Sequence, residues 1–166
     1  MARRQKKDAL ETRERLLESA LDIMSEKPYP NVTLTEIAER IGLSKGAIYW
    51  HFKNKDDVLV SLIESVSGQL EEILSSNLAR LESIDDMRGY FKQKITGLLR
   101  SETSLKVNRL IHRREEWPEE IRERVMAILL DRMEKERETL EKLLLASQKG
   151  GAIRKDVSPR KLALLI

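Results

Sequence analysis

Residues 33–55 read Thr33-Leu34-Thr35-Glu36-Ile37-Ala38-Glu39-Arg40-Ile41-Gly42-Leu43-Ser44-Lys45-Gly46-Ala47-Ile48-Tyr49-Trp50-His51-Phe52-Lys53-Asn54-Lys55. Thr33 and Glu36 form a capping box, because a Thr hydroxyl and a Glu three residues later each satisfy a backbone N–H that a helix start leaves unpaired. Gly42 directly follows this helix, where helices commonly end in a residue of positive φ, usually glycine. Ser44 is placed to cap a second helix. The stretch therefore predicts two short helices joined by a glycine turn.

Helical periodicity continues on both sides of this stretch. Before it, apolar residues recur at helical spacing and stop at Pro28-Tyr29-Pro30-Asn31; they are Leu10, Leu17, Ala20, Leu21 and Met24. After it, Asn54 is placed to cap a fourth helix whose apolar positions keep their period from Val58 to Leu81. At 1.5 Å per residue, the predicted helix of about 27 residues is about 40 Å long, more than three small helices need for their own packing. We therefore expect the fourth helix to link two regions.

The remaining residues are also helical by pattern. Ser83 with Asp86 caps a fifth helix, residues 105–111 form a sixth, Pro118 opens a seventh that ends at Gly150-Gly151, and Ser158-Pro159 opens an eighth. The expected inward positions of the fifth and seventh helices are Met87, Phe91, Ile95, Leu98, Leu99, Ile121, Val125, Ile128, Leu129, Met133, Leu140, Leu143 and Leu144. With only 7 Gly and 4 Pro in 166 residues, the composition excludes an all-β fold and predicts an all-α one.

Composition also limits the chemistry. The absence of Cys excludes disulfides, thiolate metal sites and a cysteine nucleophile. No apolar run is long enough to cross a membrane or to serve as a secretion signal, so we expect a cytoplasmic protein with no membrane partner. The net charge of +3 is too small to identify a nucleic-acid binder by itself. Its distribution is more informative, because Arg3, Arg4, Lys6 and Lys7 precede the first acid, as either a basic arm or a solvated tail.

Two helices around a glycine turn are the layout of a helix-turn-helix, whose second helix enters a DNA major groove about 12 Å wide. Residues 44–55 support this interpretation, because they hold Lys45, His51, Lys53 and Lys55 together with three aromatic residues and no acid. The alternative is an ordinary helical hairpin with a polar face, in a protein-interaction module without DNA binding. The pattern alone leaves both interpretations open.

The stretch from Ile37 to Lys55 resembles the signature I-A-x-x-x-G-x-S/T-x-G-x-x-Y-x-H-F-x-x-K of the TetR/AcrR family of bacterial transcriptional regulators. The resemblance covers residues 3–70 well, and the opening residues look most like the efflux-pump repressors of that family. It implies an N-terminal three-helix helix-turn-helix DNA-binding domain at 1–55, joined by the long fourth helix to a helical ligand-binding and dimerisation domain at 56–166. Pro28-Tyr29-Pro30-Asn31 departs from the glycine-containing loop usual after the first helix. The chain stops where the last dimerisation helices of the family continue, so we expect it to be truncated at its C-terminus.

The resemblance also implies roles for single residues at the DNA. Lys45, Gly46 and Ala47 match positions that meet base edges, and Gly46 either lets the helix approach DNA closely or relieves packing. Positions used to grip phosphates are matched by Thr33, Thr35, Ser44, Tyr49, His51 and Lys55. With Trp50 and Lys53 from the same basic and aromatic stretch, these residues form the predicted DNA-binding set.

For the C-terminal part, the resemblance implies a cavity for a small apolar or amphipathic inducer, although the same apolar stripes would also suit a filled core. The candidate lining residues are Ile63, Val66, Met87, Phe91, Leu98, Met126, Leu129 and Met133. The expected function is a homodimeric repressor on a palindromic, double-stranded operator of a transport or drug-efflux operon, released by that inducer.

No enzyme is expected, because the sequence contains no phosphate loop, nucleophile elbow or cofactor fingerprint. His112 with Glu115 and Glu116 offers a single imidazole, too few ligands for a transition-metal site. We therefore expect no catalytic residues, no metal and no cofactor.

Overall fold

The computed structural model describes residues 2–78, 84–151 and 153–165, and side chains are described within 6–69, 85–92, 95–97, 99–151 and 153–164. Eight α-helices lie in these ranges: α1 Ala2–Glu26, α2 Leu34–Arg40, α3 Lys45–His51, α4 Lys55–Leu78, α5 Ile84–Arg100, α6 Glu102–His112, α7 Glu119–Lys149 and α8 Pro159–Leu165. Short 3₁₀ turns occupy Tyr29–Asn31 and Arg114–Glu116. No strand occurs in the described part, which confirms the all-α prediction.

The N-terminal basic segment is helical. Because α1 already begins at Ala2, the backbone of Arg3 and Arg4 lies inside its first turn, and the choice between a basic arm and a solvated tail stays a prediction. No Gly or Pro interrupts residues 2–26, so nothing in the sequence stops the helix from extending to this point. Ser83 and Leu81, predicted as a cap and a helical core position, lie outside the described residues.

Residues 1–65 and 101–125 form one compact unit. Its core contains Leu16, Leu17, Ala20, Met24, Ile37, Ile48, Phe52, Val58, Leu59 and Leu110. Leu10, expected on the inward face of α1, is 54% exposed, because it lies N-terminal to the part of α1 that the unit covers. Trp117 is only 4% exposed, and its indole Nε1 has no hydrogen-bond partner among the described residues.

The predicted boundary at residue 55 does not coincide with the edge of this compact unit. Helix α6 packs against α1, and Lys106 Nζ of α6 lies 2.9 Å from Asp22 Oδ1 of α1. Residues 101–125 therefore join the N-terminal helices in space despite their distance in sequence. The functional division into a DNA-binding and a regulatory part stays a prediction.

Residues 66–100 and 126–166 form the second compact unit. Its buried cluster contains Met87, Tyr90, Leu140, Leu144 and Ala163, with Phe91, Leu143, Ile153 and Leu162 packed against it. Three positions expected to face inward are exposed instead: Ile95, Leu99 and Met133. Helical periodicity finds a face of a helix but does not say how much of its length neighbouring helices cover. Among the described residues, no helix is both long and apolar enough to span a membrane.

Candidate nucleic-acid interface

Helices α2 and α3 are fixed by three local capping arrangements. The Thr33 hydroxyl accepts a hydrogen bond from Glu36 N at 3.2 Å, and the Ser44 hydroxyl accepts one from Ala47 N at 3.3 Å. Between the helices, Gly42 has a φ of 74°. Gly42 N and Leu43 N donate to the carbonyls of Glu39 and Ala38, which is the Schellman pattern. The Thr33 and Ser44 caps and the glycine turn are therefore confirmed. The second half of the predicted capping box is replaced, because the Glu36 carboxylate pairs with Lys27.

One side of α3 is anchored in the core of the first unit. Ile48 is fully buried, and Phe52, which caps the end of α3, is 2% exposed, as the sequence predicted for both. The α2 end of the pair is tied to α1 as well, because Ser19 Oγ donates to Ile37 O at 2.9 Å and Arg15 donates to Ile41 O at 3.2 Å. Core packing thus holds α3, while hydrogen bonds tie its partner helix α2 to α1.

The opposite side of α3 presents long side chains to solvent. Lys45, Tyr49 and Trp50 are exposed, with Trp50 at 74%. Lys45 Nζ lies 5.8 Å from the centre of the Tyr49 ring, and the Trp50 and His51 rings meet edge to face at 4.7 Å. No carboxylate of the described residues pairs with Lys45. The exposed face of α3 therefore combines an unpaired cation with aromatic rings, which suits contact with a polyanion.

Gly46 lies on this exposed side, in the first turn of α3. A Cβ added to Gly46 would meet only Ser44 Oγ, at an ordinary 3.8 Å. The packing of the chain itself therefore does not require glycine at this position, and the packing-relief interpretation loses its support. Ala47, its neighbour, is half-buried.

His51 stands at the end of α3, half-buried between α1 and solvent. Burial lowers the pKa of its imidazole, and the nearby positive charge of Arg13 lowers it further. Arg13 also stacks over the Phe52 ring, with its guanidinium carbon 5.1 Å from the ring centre. Arg13 was not predicted as a site residue, because it lies far from α3 in the sequence. It comes close to the end of α3 only in the folded chain.

Residues 16–62 match the tetR family of bacterial regulatory proteins. This range includes α2, α3 and parts of α1 and α4. The probable acrEF/envCD operon repressor of Escherichia coli K12 is 30% identical over 159 residues, 92% of this chain and 70% of that repressor. The chain belongs to the TetR family of bacterial regulatory proteins.

Other TetR relatives are similar over most of the chain. The probable transcriptional regulator ArpR of Pseudomonas putida is 30% identical over 79% of this chain and 65% of ArpR, so the match spans under two thirds of that relative. SmeT, the repressor of the Stenotrophomonas maltophilia multidrug efflux pump SmeDEF, superposes with a TM-score of 0.67. It is 26% identical and matches 92% of this chain and 71% of SmeT.

The remaining predicted DNA contacts of this TetR chain lie at the start of α2 and between α3 and α4. Thr33 and Lys53 are exposed and Thr35 is half-buried. Lys55 differs, because its ammonium donates to Tyr29 O at 2.7 Å and to Pro30 O at 3.3 Å. Two of its three N–H bonds are therefore used within the protein, which a sequence pattern does not reveal.

The predicted inducer-lining residues of the TetR chain are divided between the two compact units. Ile63 is buried in the first unit, whereas Val66, Met87, Phe91, Met126 and Leu129 are partly or fully buried in the second. The side chain of Leu98 lies outside the described residues. Met133 is 64% exposed, and its role as a lining residue stays a prediction.

A shallow depression of about 450 Å³ lies along α5 instead, lined by Gly89, Lys92, Thr96, Gly97 and Arg100. None of the predicted lining residues belongs to it. The carboxylates near His112 have arginine partners: Glu115 pairs with Arg122 at 3.2 Å, and Glu116 pairs with Arg113 at 3.0 Å. Within the described ranges, no three potential metal ligands converge.

Proposed function

We propose that this TetR-family chain is a sequence-specific DNA-binding repressor, acting as a homodimer on a palindromic operator and released by a small molecule. The observation that carries this proposal is the exposed face of α3. It presents Lys45, Tyr49 and Trp50 to solvent from a helix whose other side is held by the core. A rigid helix with an unpaired cation at its N-terminal end suits readout of guanine edges in a major groove.

The proposed phosphate contacts surround this helix. The hydroxyls of Thr33 and Ser44 accept their capping hydrogen bonds, which leaves the O–H of each free to donate to a phosphate oxygen. Ser44 also stands at the N-terminus of α3, and helix N-termini favour anions. The base contacts fall to Lys45, Gly46 and Ala47, and the further phosphate contacts to Tyr49, His51 and Lys53.

The proposed dimer follows from the geometry of DNA. One seven-residue recognition helix reads few base pairs, and two copies bind half-sites about 34–36 Å apart, one helical turn of DNA. An inducer that changes the separation of two such helices needs to supply only about 1–3 kcal/mol of coupling to release the operator. The similarity to SmeT, the repressor of a multidrug efflux pump, and to the probable acrEF/envCD operon repressor supports a transport or efflux operon as the target.

The direct test is selection of bound sequences from a library of random duplex DNA, using the full chain. We expect a palindrome to be enriched, and the affinity for it to fall steeply with salt, with a log-log slope of about −0.9 per phosphate contact. A scrambled duplex should bind far more weakly at every salt concentration. If no sequence is enriched and binding to all duplexes is absent at low salt, the proposal fails, and the interaction-module alternative becomes the better one.

The homodimer and the inducer need separate measurements. Light scattering on the chain at micromolar concentration should give twice the mass of the 19.3 kDa chain. A panel of apolar and amphipathic compounds should include at least one that weakens operator binding about fivefold, the low end of usual coupling. A strictly monomeric chain, also on the palindrome, would contradict the first expectation.

A further inference from the structure

Tyr29 makes three hydrogen bonds that hold the turn at Tyr29–Asn31 to residues distant in sequence. Its N–H donates to Glu116 Oε2 at 2.8 Å, its carbonyl accepts from Lys55 Nζ at 2.7 Å, and its hydroxyl donates to the Asp56 carboxylate. The side chain is 4% exposed, and the Lys55 ammonium lies 4.4 Å above its ring. Tyr29 thus connects the 3₁₀ turn Arg114–Glu116 with the first turn of α4.

Glu116 is held at its other end as well. Its Oε1 accepts from Arg113 Nε at 3.0 Å, so both carboxylate oxygens have a donor. The Tyr29 N–H and the Arg113 guanidinium lower the pKa of Glu116, so its carboxylate stays ionised at neutral pH. A charged, two-point acceptor holds a single backbone N–H more firmly than a neutral one.

Lys55 is the residue through which this arrangement reaches the DNA side of the molecule. It begins α4, three residues after Phe52 caps the end of α3. Because two of its N–H bonds are made to Tyr29 and Pro30, its position depends on the position of the turn. The third N–H is left for a phosphate, and a preorganised donor binds with less loss of conformational entropy.

We propose that Glu116 is a positioning residue for DNA binding, which holds Tyr29 and thereby fixes Lys55 for its phosphate contact. This inference rests on the proposed function and names a route by which residues 113–116 change operator affinity. Movement of that turn away from Tyr29 would release Lys55 without any change in α3 itself.

A second bond from the neighbouring helix agrees with this role. Asp22 Oδ1 accepts from Lys106 of α6 at 2.9 Å, while Asp22 Oδ2 accepts from Arg40 of α2 at 3.4 Å. The segment 102–116 is therefore bonded to α1 through Lys106 and to the turn after α1 through Glu116. A displacement of this segment would act on α2 and on the start of α4 together.

The test is a double-mutant cycle on operator affinity with the full chain, using Glu116→Ala and Lys55→Ala. We expect Glu116→Ala alone to weaken binding about fivefold, or ~1 kcal/mol, and by less than about twofold in the Lys55→Ala background, since coupled residues are not additive. Glu115→Ala is the matched control, because Glu115 is 73% exposed and pairs with Arg122 rather than with Tyr29. It should change affinity less than about twofold in both backgrounds.

Two further measurements separate this role from a general loss of structure. Glu116→Gln keeps a neutral acceptor for the Tyr29 N–H, so it should bind the operator more tightly than Glu116→Ala and less tightly than the wild type. An affinity no higher than that of Glu116→Ala would overturn the link. Without DNA, amide hydrogen exchange should speed up at residues 29 and 55–57 in Glu116→Ala but not in Glu115→Ala. Additive effects in the cycle, with the wild-type chain binding its operator, would overturn this inference alone. Absence of any operator binding by the wild-type chain would instead overturn the proposed function.

Discussion

Gly46→Ala should stabilise the fold and impair DNA binding, because the two properties place opposite demands on this position. In the free protein, the added Cβ meets only Ser44 Oγ at 3.8 Å, an ordinary contact. Alanine is favoured over glycine inside a helix by about 0.5–1 kcal/mol. Gly46 lies in the first turn of a seven-residue helix, where part of that gain applies. We therefore expect the free energy of unfolding to rise by about 0.5 kcal/mol.

On the operator, the same methyl group would stand between α3 and the base edges. If the backbone at Gly46 approaches DNA closely, the helix must shift outward, and Lys45 and the phosphate contacts lose their geometry. A loss of about tenfold in affinity, or ~1.4 kcal/mol, is the expected result. Binding to scrambled DNA depends on phosphates alone and should change less.

The assay pairs urea unfolding with fluorescence anisotropy on the selected and scrambled duplexes. Gly68→Ala is the matched control, since Gly68 lies in α4 and its added Cβ would meet nothing within 4 Å. It should raise stability similarly and leave operator affinity unchanged. If Gly46→Ala raises stability and binds the operator as tightly as the wild type does, α3 does not approach DNA at Gly46, and the reasoning is refuted.

Three other predictions concern side chains around α3. Lys45→Ala should weaken operator binding by about 1–3 kcal/mol and relax discrimination at one base position. Its free energy of unfolding should stay within about 0.5 kcal/mol of wild type. Equal losses of affinity for scrambled DNA in the anisotropy assay would show that Lys45 contacts a phosphate. Lys55→Ala should reduce the log-log slope of operator affinity against salt by about one. It should also lower the free energy of unfolding in urea, because Lys55 donates hydrogen bonds to the carbonyls of Tyr29 and Pro30. An unchanged free energy of unfolding would contradict this structural role. His51 has a lowered pKa, so the folded chain binds fewer protons there than the unfolded chain, and stability should fall as pH drops below the ordinary His value of about 6.5. A phosphate would raise that pKa, so operator affinity should be higher near pH 6 than near pH 8, and His51→Gln should remove this difference; a pH dependence that survives the substitution would exclude His51 as its source.

The helix-turn-helix could be predicted from the sequence because its determinants are local. Thr33, Gly42 and Ser44 act within five residues of their partners, so the residue types at those positions already specify the caps and the turn. Ile48 and Phe52 could be assigned to the core for the same reason, since spacing along one short helix decides which side faces α1.

Features that depend on distant contacts could not be predicted. Helical periodicity predicted that Met133 faces inward, but it could not show that no other helix described in the second unit covers this side of α7. The packing of α6 on α1 and the bond from Glu116 to Tyr29 join residues far apart in the chain, and no local pattern encodes them. For the bond from Glu116 to Tyr29, the sequence offered one indication: Pro28-Tyr29-Pro30-Asn31 replaces the glycine-containing loop usual in the family. The structure shows that Tyr29 of this segment makes the long-range contacts.

The two tryptophans of the chain, Trp50 and Trp117, differ so strongly in exposure that they form a pair of separable optical probes. Trp50 stands 74% exposed on α3, so its emission lies toward long wavelengths and is open to external quenchers. Trp117 is 4% exposed, directly after Glu116, so its emission lies toward short wavelengths and is shielded from quenchers. Trp50→Phe leaves a spectrum that follows the surroundings of Glu116, and Trp117→Phe leaves one that follows α3. A change around Glu116 and a change at α3 can therefore be timed separately in two single-tryptophan variants, without an attached dye.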